Sequence, residues 1–134
     1  MKPIIRLLAA CALPLLFCLP AHAQWARAGV MEGRTYYVDL DTAQRDASLV
    51  TLWVLVDFSE PARTTRGRSY LSKKAKLEVD CSQRMMRQLQ DTWHPEHMGA
   101  GEPVFFTDGS KVAAFPVQRE SPGEILWKAA CGRR

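Results

Sequence analysis

The stretch Ser69-Tyr70-Leu71-Ser72-Lys73-Lys74-Ala75-Lys76-Leu77-Glu78-Val79-Asp80-Cys81 alternates with a period of two, the signature of a β-strand. Leu71, Ala75, Leu77, Val79 and Cys81 fall on one face, where Lys73 is the only charged residue. Tyr70, Ser72, Lys74, Lys76, Glu78 and Asp80 fall on the other. A strand with one dry and one wet side belongs in an antiparallel sheet covered on one face. This one ends in a cysteine on its dry side.

The beginning of the chain has a different character. Lys2 and Arg6 precede an apolar run, Leu7–Leu19, and Ala21-His22-Ala23 offers small residues where a signal peptidase reads. Residues 1–23 are therefore expected to be a secretory signal peptide cut before Gln24, and residues 24–134 a single domain. The apolar run is too short to span a bilayer, and no later stretch approaches span length. Leu8-Ala9-Ala10-Cys11 has the form of a lipoprotein site, but only Ile4, Ile5 and Leu7 precede it as apolar core, with Arg6 between them. Cleavage after Ala23 is the expectation.

Export decides the cysteine chemistry. Cys11 and Cys18 leave with the leader, and Cys81 and Cys131 remain. In an oxidising compartment these two are expected to pair. Closing so long a loop stabilises by about 4 kcal/mol on the chain-entropy view, a large share of the stability of a small domain. The formal net charge of +4 falls once Lys2 and Arg6 are removed, too mild a balance to indicate nucleic acid.

Along the remaining chain, Trp25–Val30 reads as a first strand, Glu32-Gly33-Arg34 as a turn, and Thr35–Leu40 as a second strand. Asp41–Ala47 is polar and reads as a loop or one helical turn. Leu49–Phe58 is the strongest strand. Val50, Leu52, Val54, Val56 and Phe58 make one apolar face, and Trp53 and Leu55 on the other suggest cover on both sides. Ser59–Arg68, with Pro61 and Gly67, reads as a loop. Met85–Trp93 alternates less cleanly, placing Met85, Leu89 and Trp93 with Arg87 and Asp91, which suggests an edge strand or a buried Arg87 with a carboxylate partner. His94–Pro103 reads as a long loop. Val104–Thr107 and Val112–Val117 read as a hairpin about Asp108-Gly109.

The period changes at the C-terminus. Ser121 suits a helix cap, Pro122 the first helical position, and Glu124 completes a capping box. At 100° per residue Gly123, Leu126, Trp127, Ala130 and Cys131 share a face, and Gly132 ends the helix. Cys131 and Cys81 thus each point toward an apolar surface, and the simplest arrangement makes those surfaces partners. The expected fold class is α+β: a mostly antiparallel sheet of about five or six strands, with the C-terminal helix packed on one face and joined to it by the disulfide.

Two constellations are candidates for binding. Arg63, Arg66, Arg68, Lys73, Lys74 and Lys76 occur with no acid between Pro61 and Leu77, a basic patch suited to acidic protein segments, sulfated glycans or anionic lipid heads. Trp53 and Leu55, if exposed, suit an interface with a second copy of the chain. His94-Pro95-Glu96-His97 carries metal-ligand residue types, but the proline prevents the helical zinc-protease arrangement and no cysteine is spare. No glycine-flanked nucleophile elbow is present. Neither an enzyme nor a cofactor is expected.

In order and spacing the chain resembles the surface-adhesin protein E family of exported bacterial proteins. The resemblance is carried by Trp25, Tyr36-Tyr37-Val38-Asp39, Trp53-Val54-Leu55-Val56-Asp57-Phe58, Ser69-Tyr70-Leu71-Ser72-Lys73, Glu78-Val79-Asp80-Cys81, Pro122-Gly123, Leu126 and Cys131. Glu124 and Phe115 depart from the family pattern. The resemblance implies an antiparallel sheet with a disulfide-fixed C-terminal helix. For the family's namesake it implies attachment to host matrix or serum proteins such as laminin and vitronectin. The expectation is an exported adhesin-like binding protein of the periplasm or outer cell surface. The alternative is a periplasmic envelope protein of structural or assembly role with no host ligand.

Overall fold

Antiparallel hairpins join each of the first five strands to the next. The computed structural model describes residues 24–109 and 112–132, so the leader expected over residues 1–23 lies outside the described residues. The strands are β1 (Ala26–Met31), β2 (Arg34–Asp46), β3 (Leu49–Arg63), β4 (Ser69–Asp80), β5 (Met85–His94), β6 (Phe105–Thr107) and β7 (Phe115–Pro116), followed by helix α1 (Pro122–Cys131). They form one seven-stranded sheet in the order β1-β2-β3-β4-β5-β6, with β7 also on β5. The β1–β2 turn holds Glu32 and Gly33 at φ of 51° and 73°, the left-handed pair that matches the twist of a tight hairpin.

Register breaks lengthen the strands beyond what the sequence suggests. Asp41–Ala47 is largely strand rather than loop: β2 runs on to Asp46, with an irregularity between Asp39 and Gln44. Asp39 holds this bulge, its Oδ1 accepting the N–H groups of Asp41 and Thr42. Ser59–Arg63 is likewise strand, separated from the regular β3–β4 ladder by a break between Asp57 and Ala62. In β5 the residues opposite Lys76 and Leu77 are Gln90 and Gln88, so Leu89 is the bulged residue. A bulge switches the inside–outside parity. Met86, not Met85, therefore enters the core, at 2% exposure. Arg87 is exposed and pairs with Glu78 at 2.7 Å. The expected β6–β7 hairpin does not form: both strands pair with β5, at opposite ends. Between them Gly109 lies so close to β5 that a Cβ would fall 2.5 Å from the Leu89 carbonyl oxygen.

One sheet face meets α1. Tyr36, Val38, Val50, Leu52, Val54, Leu77, Val79 and Met86 pack with Val117, Leu126 and Ala130 as a single core. Ser121 caps the helix by accepting the Glu124 N–H at 3.2 Å, with Pro122 at its first turn. Gly29 of β1 lets Ile125 approach, since a Cβ there would meet the Ile125 side chain at 2.9 Å. At the other end Arg45 Nη2 donates to the Ala130 carbonyl at 2.8 Å, a cation on the carbonyl-rich helix terminus. Cys81 and Cys131 are joined in a disulfide between β4 and α1. Trp127 Nε1–H donates to the Asp80 carbonyl beside it.

The opposite face is not simply wet. The segment after β5 folds back over its β3–β5 part, so Leu55 and Ser72 are 0% and His94 4% exposed. Ser72 Oγ donates to the Glu96 carbonyl and accepts the Gly99 N–H at 2.8 Å. Asp57 accepts from Met98 N–H and from His97 Nδ1–H. His94 Nδ1–H donates to the Gly101 carbonyl, leaving Nε2 to accept from the Thr92 hydroxyl at 2.8 Å. With both ring nitrogens committed, His94 serves as a strut for this segment.

Two outcomes follow from these tethers. Replacing both Cys81 and Cys131 by serine, across a sequence separation of 50, is expected to lower the unfolding free energy by about 4 kcal/mol, measured by urea titration. Asp80 is held below its usual pKa by the Gln83 N–H and the Ser82 hydroxyl, and Glu124 below its own by Arg84 and Lys128. Their stabilising contribution is present above the ordinary carboxylate range, about pH 4, and lost as pH falls through their lower folded-state values. Asp80→Asn and Glu124→Gln are expected to flatten the acid limb of a stability-versus-pH curve; an unchanged limb in the double variant would remove this account.

Candidate functional site

The six basic residues do not form one surface. Arg63, Arg66 and Arg68 stand exposed on the tip of the β3–β4 hairpin. The tip is ordered by its own hydrogen bonds: Gly67 N–H to the Thr64 carbonyl, Thr64 N–H to the Arg68 carbonyl, and Arg63 Nη1 to the Gly67 carbonyl at 2.9 Å. Gly67 has a φ of 78° with open space around it, so glycine serves the turn conformation alone. Lys74 and Lys76 lie on the strand face opposite α1, paired in register with Leu55 and Trp53. Lys73 points to the helix side, away from both.

Lys73 lies in an aromatic cluster. Its Nζ is 3.9 Å from the ring centre of Trp93, 5.3 Å from Tyr70 and 5.8 Å from Phe58. Tyr70 meets Phe58 edge-on, and Trp93 stacks between Tyr70 and Phe105. Arg34 also lies over the Phe58 ring, at 5.1 Å. Asp91 accepts from Trp93 Nε1–H at 2.8 Å through Oδ2, while its buried Oδ1 has no hydrogen-bond partner among the described residues. Burial lowers the Lys73 pKa; the nearby Asp91 opposes that shift, and Arg34 adds to it. Arg34 extends the cationic end of the molecule and was missed in the sequence, because only the β2–β3 register, with Arg34 opposite Phe58, brings it there.

Trp53 and Leu55 part company. Leu55 is fully buried within the chain and offers nothing to a second copy. Trp53 is half-buried and lines a cavity of about 440 Å³ with Trp25, Asp39, Thr42, Lys74, Thr92, His94, Met98 and Pro103. Two distant segments of chain supply Trp25 and Met98, so alternation within one strand could not reveal this grouping. Among the described residues no group of histidine, cysteine, aspartate or glutamate is arranged to hold a metal ion, and no helix is long and apolar enough to cross a membrane.

A disulfide-stapled α+β domain whose uncommitted surface chemistry is cationic and aromatic has the equipment of a binding protein. A family model described as surface-adhesin protein E matches residues 25–132, and the chain belongs to that family. Its fold is similar to solved structures of Haemophilus influenzae protein E. Crystal form II is 14% identical with a TM-score of 0.58, covering 78% of this chain and 91% of that one. The selenomethionine form is 15% identical with a TM-score of 0.55, covering 81% and 93%. Protein E from non-typeable Haemophilus influenzae is 13% identical with a TM-score of 0.55, covering 83% and 86%. No curated protein matches the chain. Membership makes this an adhesin-like, exported protein.

The Lys73 cluster has a measurable signature. A lysine whose folded pKa lies below its ordinary 10.5 holds fewer protons folded than unfolded between those two values, so its contribution to stability rises with pH there. Lys73→Met is expected to remove that rise, read as unfolding free energies from neutral pH to about pH 10; an identical alkaline profile would count against a desolvated lysine.

Proposed function

We propose that the chain is an adhesin-like protein released by cleavage after Ala23, which binds host extracellular-matrix or serum proteins through the tip of its β3–β4 hairpin. The observation that carries this reading is the tip itself. Arg63, Arg66 and Arg68 are exposed on an internally hydrogen-bonded turn, with Arg34 on the neighbouring strand. An ordered turn presents its guanidinium groups with little further loss of backbone freedom on binding. Guanidinium groups take carboxylates and sulfates in paired hydrogen bonds. Acidic segments of laminin- or vitronectin-like proteins are the class of partner these groups suit, and family membership supplies the adhesive context.

The test is binding of the processed protein to immobilised laminin and vitronectin, beside the variant Arg63→Glu/Arg66→Glu/Arg68→Glu. Reversing three charges at one tip is expected to weaken binding by at least about tenfold and to abolish its salt dependence. Labelling of intact cells with an impermeant reagent reads the compartment. Equal binding by the variant would remove the hairpin tip from the interface, and no labelling of intact cells would favour an envelope role without a host ligand.

A further inference from the structure

The cavity on the face opposite α1 has walls that the rest of the fold goes to some length to hold. Met98 sits at its edge with φ of 56°, a left-handed conformation that strains a non-glycine residue and persists only where its surroundings impose it. Asp57 imposes it by accepting the Met98 N–H at 2.8 Å. The adjoining wall rests on His94, which is buried and bonded through both ring nitrogens. On the far side Asp39 and Thr42 shape the β2 bulge, and the Thr42 hydroxyl donates to the Asp39 carbonyl at 2.9 Å. At about 440 Å³ the space falls within the usual range for small-ligand sites, about 300–1,000 Å³.

The polar groups of the lining divide into committed and uncommitted. Asp39 is 2% exposed and its Oδ1 accepts from the Asp41 and Thr42 N–H groups. His94 and Thr92 bond each other. Lys74 has no ion-pair or hydrogen-bond partner among the described residues. Its methylene stem runs against Gly99, where a Cβ would meet Lys74 Cδ at 2.9 Å, so Gly99 leaves room for the stem. The apolar walls come from the indoles of Trp25 and Trp53, with Met98 and Pro103. Asp39, the acid of the lining, is held to the β2 backbone through Oδ1, and Lys74 is the available cation beside the apolar walls, which suits an anion carried on an apolar body.

We infer that this cavity is a binding site for a carboxylate borne on an aromatic or branched apolar group, with Lys74 taking the carboxylate and Trp25 and Trp53 enclosing the apolar part. The same chemistry occurs in a free small organic acid and in the last residue of a polypeptide chain. The site is separate from the arginine tip, and neither reading depends on the other.

The test follows the tryptophan indole N–H signals of the processed protein by NMR, assigned with Trp25→Phe and Trp53→Phe, during titration with N-acetyl-phenylalanine. The expected result is saturable movement of the Trp25 and Trp53 signals, with binding at least about tenfold weaker for N-acetyl-phenylalanine amide, since the charge-assisted contact is lost. Lys74→Met keeps the stem against Gly99 and is expected to weaken binding of the acid by a similar factor while leaving the dispersed spectrum intact. A short peptide ending in phenylalanine, with its carboxylate free or amidated, distinguishes the sources: binding of the free-ended peptide assigns the site to chain termini, and binding of N-acetyl-phenylalanine alone assigns it to small acids. Equal binding of acid and amide, indifference to Lys74→Met, or silent Trp25 and Trp53 signals would overturn the inference. Arg63→Glu/Arg66→Glu/Arg68→Glu is expected to bind the probe normally, which separates failure here from failure at the hairpin tip.

Discussion

The attachment of α1 to the sheet is the constraint on which the remaining structure depends. A single antiparallel layer buries nothing until something lies against it, and here the cover is a helix of 10 residues. A helix that short is marginal in water by itself. It persists because Leu126 and Ala130 are buried against β2 and β3 residues, and because the Cys81–Cys131 bond removes much of the freedom the unfolded chain would have. Charge and polar contacts fix its orientation: Arg84 with Glu124 at 2.9 Å, Arg84 over the Trp127 ring, and Arg45 on the Ala130 carbonyl. These part-buried contacts select one docking geometry.

The second face is covered by different means. Among the described residues no α-helix reaches it, and the segment after β5, irregular apart from one 3-10 turn at His97–Gly99, does the work with backbone groups satisfied one by one by Asp57, Ser72 and His94. Buried polar side chains are costly unless paired, and these are paired with backbone that would otherwise be orphaned. The consequence is a wall of fixed shape beside Trp53 and Lys74, where a regular element would have packed flat and closed the space. The exposed guanidinium groups of the β3–β4 tip and the cavity lined by Trp53 and Lys74 are therefore separate features of the surface.

Much of the fold can be read along the chain because its signals are local. Period-two alternation marks β4 and the heart of β3, the Ser121-Pro122-Gly123-Glu124 start marks α1, and the two cysteines outside the expected leader, Cys81 and Cys131, have one intramolecular pairing. In β3 and β5 the local signals mislead at a break in register. Residues beyond Phe58 look like loop because Pro61 and Gly67 punctuate them, yet the ladder resumes at Ala62. The β5 bulge at Leu89 exchanges the faces of Met85 and Met86, and alternation counted through a bulge assigns the wrong side.

The amino-acid order by itself determined the strand-rich body, the terminal helix and the disulfide, since each follows from neighbours in sequence or from the number of cysteines available. Only the tertiary structure decided that Lys73 lies among Phe58, Tyr70 and Trp93, that Leu55 is interior, and that Trp25, Trp53, Lys74 and Met98 share a cavity. The physical reason is that faces and cavities depend on inter-strand register and on where an irregular segment folds back. Both are set by contacts between residues far apart in the chain.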